Sequence, residues 1–109
     1  MDLLNRLTNW FSRQGRDENQ LNMALELARG GDPAKAIEIY GELLRGESTS
    51  ATTKARALFN RALAYSSLNE DPRAIADLKQ LTALADIPEN VRSAARTQLV
   101  RLKNRQSAS

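Results

Sequence analysis

An all-helical fold follows from three observations on the 109-residue sequence. Apolar residues recur at three- and four-residue spacing, no stretch shows the alternation of a half-buried strand, and Gly-Gly and Asp-Pro pairs fall where helices would end and begin. Only 5% of the residues are aromatic against 41% hydrophobic, so the core is expected to consist of Leu, Ala and Ile.

Residues 3 to 14 read as an amphipathic helix. Leu3, Leu4, Leu7, Trp10 and Phe11 share one face, Asn5, Arg6, Thr8, Asn9, Ser12 and Arg13 the other, and Asp2 suits the N-cap. Gly15 and the polar run Arg16-Asp17-Glu18-Asn19 interrupt this spacing. Asp17 with Gln20 three residues later has the form of a capping box that opens a second helix, reaching about Arg29. Gly30-Gly31 stops it, and Asp32-Pro33 opens a third helix with the stripe Ala36, Ile37, Tyr40, Leu43 and Leu44, up to Gly46. Residues 47 to 53, rich in Ser and Thr, read as a loop plus an N-cap. The fourth helix carries Ala55, Leu58, Phe59, Ala62, Tyr65 and Leu68. A second Asp-Pro, Asp71-Pro72, opens a fifth through Ala74, Ile75, Leu78, Leu81 and Leu84, which Asp86-Ile87-Pro88 breaks. The last helix, about 89 to 104, sets Val91, Ala94, Ala95, Leu99 and Leu102 on one side and Arg92, Arg96, Arg101, Lys103 and Arg105 elsewhere, and residues 106 to 109 are expected to fray.

The absence of Cys and His removes disulfides, thiolate zinc sites and any nucleophile paired with a His base. No phosphate loop is expected, since Gly30-Gly31 follows no strand. Glu38 and Glu42 lie one turn apart beside Lys35 and Arg45 and read as a solvated, salt-bridged face. The hydroxyls of residues 48 to 53 lack a His to activate them, and phosphorylation there stays open. The reading is therefore non-enzymatic, with no metal and no cofactor. The start of the chain lacks the apolar core of a secretory signal, and no stretch is long enough to span a bilayer, so the expected location is cytoplasmic.

The net charge of +3 is unevenly spread. Three basic and one acidic residue give +2 over residues 1 to 16, eight and eleven give −3 over 17 to 88, and five and one give +4 over 89 to 109. Basic ends flank a mildly acidic body, which suits acidic surfaces or the body of a second copy. Nucleic acid is disfavoured, because the basic last helix carries no stacking aromatics.

The body repeats itself. Ala36-Ile37 and Ala74-Ile75 stand 38 residues apart, and the same offset brings Ala24 to Ala62, Leu27 to Tyr65, Tyr40 to Leu78 and Leu43 to Leu81. Small residues at 24, 36, 62 and 74 would let paired helices approach closely, with the Tyr and Leu residues filling the space between them. In residues 55 to 88 the succession Leu58, Ala62, Tyr65, Ala74, Leu78, Leu81, Pro88 resembles the tetratricopeptide repeat, whose unit is about 34 residues long. Residues 17 to 48 resemble it in Ala24, Leu27, Gly31, Asp32, Ala36, Tyr40 and Leu43, without the terminal Pro and with about four extra residues in the Ser/Thr loop.

This resemblance implies a right-handed α-α superhelix in one domain: an N-terminal helix at 3 to 14, repeats at 17 to 48 and 53 to 88, and a C-terminal capping helix at 89 to 104. It implies a protein-binding scaffold or adaptor whose groove is lined by Leu21, Leu25 and Arg29, by Phe59, Asn60, Leu63 and Ser67, and by Arg92 and Arg96. Apolar residues with a basic edge suit a peptide with hydrophobic anchors and acidic residues. Family members that grip the carboxyl terminus of chaperones carry Lys and Asn where this chain has Leu21 and Leu25, and only Asn60 fits that ligand. The same apolar stripe also suits packing under the N-terminal helix or a partner subunit. Residues Leu3, Leu4, Leu7, Trp10 and Phe11 leave two readings open, a cap on the first repeat or a helix that anchors to a membrane surface or docks on a partner. The alternatives to an adaptor are accordingly a membrane-associated assembly factor and a self-associating homo-oligomer.

Overall fold

Turn chemistry sets the framework of the computed structural model, which describes the backbone of residues 2 to 108 and the side chains of residues 15 to 108. Its five helices are α1 (Asp2–Arg29), α2 (Pro33–Arg45), α3 (Ala51–Ser67), α4 (Asp71–Thr82) and α5 (Glu89–Ala108), and no strand occurs among the described residues. α1 ends through Gly31, whose φ of 95° suits a residue without a Cβ. Gly31 N–H donates to Ala28 O at 3.3 Å and Asp32 N–H to Leu27 O at 2.8 Å. α3 ends the same way 38 residues later. Asn69 takes φ 61°, its N–H donates to Ser66 O at 3.0 Å, and Glu70 N–H donates to Tyr65 O at 2.9 Å. The sequence repeat thus returns as a repeated backbone device.

Each turn then feeds a new helix. The Asp32 carboxylate accepts from Lys35 N–H at 3.2 Å, with Pro33 in the first turn. At α4 the N-cap is Glu70, which makes no side-chain cap bond. Asp71, expected as a cap, lies inside the first turn and binds elsewhere. Ser50 caps α3, its Oγ accepting from Thr53 N–H at 3.1 Å.

One expected boundary is absent. α1 runs as one helix through Gly15, Asp17 and Gln20, so no turn separates residues 3 to 14 from the helix that follows, and residues 3 to 14 do not form a separate capping helix. A glycine within a helix costs only about 1 kcal/mol relative to Ala, and Arg, Asp, Glu and Asn can all continue a helix, so this run lacks a proline or a left-handed residue to end it. α5 likewise continues to Ala108, past the expected end near residue 104. α4 stops at Thr82, which leaves Leu84 in the following turn.

Helices pack in chain order, α1 on α2, α2 on α3, α3 on α4 and α4 on α5, and α1 also reaches α3. Two buried clusters result. One holds Leu21, Ala24, Ala36, Tyr40, Leu43 and Ala57, and the other centres on Leu58, Ala62, Ala74, Leu78, Leu81, Ala95 and Leu102, while Leu44 packs against both. The small residues Ala24, Ala36, Ala62 and Ala74 are buried at the helix contacts, as the 38-residue repeat anticipates. At 1.5 Å per residue, 28 residues make α1 about 42 Å long and 13 make α2 about 20 Å. α1 therefore outruns its partner by roughly half its length, within a molecule 60 Å along its longest axis. Among the described residues no helix is long and apolar enough to cross a membrane.

Candidate functional site

The groove between α1 and α3 is where the candidate residues converge. Leu25, Ala28 and Arg29 rise along one wall at helical spacing, and Asn60, Leu63, Ala64 and Ser67 along the other. Pro33 and Tyr40 of α2 complete a hollow of about 310 Å³. Five of the nine expected groove residues meet here: Leu25, Arg29, Asn60, Leu63 and Ser67. Phe59 lies on the other side of α3, lining a second hollow of about 190 Å³ with Arg56, Asn90, Val91 and Ala94, and Asn60 belongs to both. The side chains of Leu3, Leu4, Leu7, Trp10 and Phe11 lie outside the described residues.

Three candidates take other roles. Leu21 has no exposed surface and is part of the α1–α2 core, turned away from the groove that Leu25 lines. Arg92 bends back to the end of α4, its guanidinium donating to Thr82 O at 2.6 Å and Leu84 O at 3.0 Å. It satisfies carbonyls that a helix end leaves without partners, and its charge suits the negative end of the α4 dipole. Arg96 is exposed, pairs with Glu89 at 3.5 Å and lines neither hollow.

The polar content of the α1–α3 groove is small. Asn60 Nδ2 donates back to Arg56 O at 2.8 Å, and Ser67 Oγ donates to Ala64 O at 2.7 Å. Arg29 meets Glu26 at 3.5 Å in solvent. Tyr40 is fully buried, and its hydroxyl has no hydrogen-bond partner among the described residues. Burial pushes its pKa above the ordinary tyrosine value, and the nearby charge of Arg29 pulls the other way. No lining side chain is a carboxylate. The lining is mostly apolar with the Arg29 guanidinium among its residues, and it presents no paired nucleophile and base.

Sequence reading passed over two ionic contacts that stiffen the scaffold behind this groove. Arg61 of α3 grips Asp77 of α4 with two bonds, Nε to Oδ2 at 2.9 Å and Nη2 to Oδ1 at 2.7 Å, and Asp77 is buried. The hydrogen bond from Arg61 to Asp77 raises the Arg61 pKa and holds it charged, against the opposing effect of burial. The available signal was Asp77 itself, which stands on the stripe of Ala74, Leu78 and Leu81. Arg105 of α5 likewise grips Asp71 at 2.8 and 2.6 Å and reaches Ser66 Oγ at 2.8 Å, joining the ends of three helices. Glu38 and Glu42 are exposed beside Arg45, and no group of three or more acidic residues gathers to hold a metal among the described residues. No family model matches this chain, and neither a curated protein nor a solved structure matches it.

Proposed function

We propose that this chain is a small helical-repeat scaffold of the tetratricopeptide kind, two helix pairs closed by α5, which binds a peptide segment of a partner protein along the α1–α3 groove. The observation that carries this reading is the meeting of Leu25, Arg29, Asn60, Leu63 and Ser67 from the leading helices of the two pairs around one open, mostly apolar hollow. The matching turns at Gly31 and Asn69 support the assignment of two equivalent pairs. Leu25 is half-buried and Leu63 is 40% exposed, so both apolar walls keep surface that a ligand can cover. Selecting peptides from a random display library tests the reading. The double variant Leu25→Lys, Leu63→Lys is expected to lose the selected peptides while keeping its far-ultraviolet circular dichroism, and capture at the wild-type level by the folded variant would remove the groove from consideration.

The length of α1 supports a second reading. Its first half extends beyond α2, which favours an arm that docks on a partner or an anionic membrane surface over a cap on the first pair. Liposome co-sedimentation of the full chain and of one lacking residues 1 to 15 tests it. A folded truncation that no longer sediments supports an arm, and a truncation that unfolds supports a structural role.

A further inference from the structure

The N-terminal half of α1 runs past the helices that pack on its other half. α2 covers only about half the length of α1, and α3 begins opposite Asp17 and Glu18, which share a hollow with Ser50, Thr52, Thr53 and Arg56. Residues 2 to 14 therefore form a helical arm beyond both. An amphipathic helix gains most of its stability by packing its apolar face on something. The sequence of the arm provides such a face in Leu3, Leu4, Leu7, Trp10 and Phe11.

Spacing along α1 relates that face to the groove. Leu7, Trp10 and Phe11 precede Leu25, Ala28 and Arg29 by 18 residues each, which at 3.6 residues per turn is five whole turns. Arm positions and groove wall thus share one side of a single continuous helix. An arm cannot enter its own groove, because the helix holds Phe11 and Leu25 about 21 Å apart along its axis. A second copy removes this obstacle. With two α1 helices antiparallel about a two-fold axis near residue 18, positions 7 to 11 of each copy lie over positions 25 to 29 of the other, and both contacts form together.

The chemistry of the groove suits this occupant. Its lining is mostly apolar and contains no carboxylate, and Leu63 is exposed on its far wall. Arg29, 74% exposed and paired with Glu26 in solvent, need not be buried when the groove fills. Residues 1 to 16 carry +2 and residues 17 to 88 carry −3, so the arm of one copy is attracted to the body of the other.

We infer that the chain forms a symmetric dimer by reciprocal arm exchange, in which residues 2 to 14 of each copy dock in the α1–α3 groove of the other. The inference rests on the groove reading above and names the occupant of that groove. A peptide from a partner protein then has to displace the arm before it binds.

Sedimentation equilibrium of the full chain at micromolar concentration is expected to give twice the 12.1 kDa of one copy. Each substitution counts twice in a symmetric dimer, so Leu25→Lys with Leu63→Lys, or Trp10→Ser with Phe11→Ser, should weaken association roughly a hundredfold or more while far-ultraviolet circular dichroism persists. The arm variant keeps the test decisive should the groove variant misfold. Because the chain has no cysteine, single cysteines report the register. In an oxidised mixture of Phe11→Cys and Leu25→Cys chains, the mixed disulfide is expected to exceed either homodimer. A chain that stays monomeric, including one that sediments with phosphatidylserine vesicles instead, overturns the inference. So does a dimer that either folded variant leaves intact, or a mixture in which Phe11→Cys links arm to arm. The groove reading is decided separately, by whether the peptides selected from the display library are lost from Leu25→Lys, Leu63→Lys.

Discussion

The two helix pairs share one spacing and one turn device but are held together differently. α3 and α4 are joined by the buried Arg61–Asp77 pair, and Arg105 and Arg92 tie α5 to the beginning and end of α4. α1 and α2 have the apolar cluster of Leu21, Ala24, Ala36, Tyr40 and Leu43 and an exposed Arg29–Glu26 contact, and the Tyr40 hydroxyl has no partner among the described residues. Polar groups in the second pair serve the fold. The first pair is held by apolar packing, with its ionic contact out in solvent.

Asp77→Ala is the severest way to break that contrast. It leaves the Arg61 guanidinium, only 21% exposed, without its carboxylate, and is expected to cost about 3 kcal/mol in urea unfolding. A loss below about 1 kcal/mol would mean that the ionic contacts do not distinguish the pairs. Arg92→Ala is expected to cost about 1–2 kcal/mol, because Thr82 O and Leu84 O lose charged donors at the end of α4, and hydrogen exchange should accelerate there before it does in α2.

In the first pair the expected change has the opposite sign. Space around Gly15 is open and its φ is not left-handed, so Gly15→Ala should stabilise α1 by about 0.5–1 kcal/mol. Destabilisation instead would place a turn at this residue. The smallest effect is expected from pH. The hydrogen bond from Arg105, and then its charge and the bond to Ser66, hold the Asp71 carboxyl below the usual aspartate range. Its contribution to stability is complete above the unfolded aspartate pKa and is lost as pH falls through the lower folded value. Asp71→Asn should flatten the acid side of the stability profile and leave the slope near neutral pH unchanged.

Much of this arrangement was legible in the residues. The 38-residue offset identified the alanines at helix contacts, and the end of α1 and the bounds of α2, α3 and α4 were expected within two or three residues of those observed, while the start of α1 was missed. Gly15 misled because glycine ends a helix only where the backbone turns left-handed, as at Gly31, and composition alone does not separate the two cases. Leu21 and Leu25 sit one turn apart, and a modest rotation of α1 decides which enters the core and which faces the groove. Arg92 was read by its helical face, but its long side chain travels to carbonyls on another element, a reach that face arithmetic does not contain. Tyr40 was correctly placed as a core filler. Its orphan hydroxyl could be known only from the absence of neighbours in three dimensions.

The left-handed residues at Gly31 and Asn69 also mark two equivalent seams in the chain. The segment that runs from one to the other begins and ends with the same backbone geometry. On the repeat reading proposed above, a duplicate of residues 31 to 68 spliced at either seam would enter in register and lengthen the helical stack by two helices.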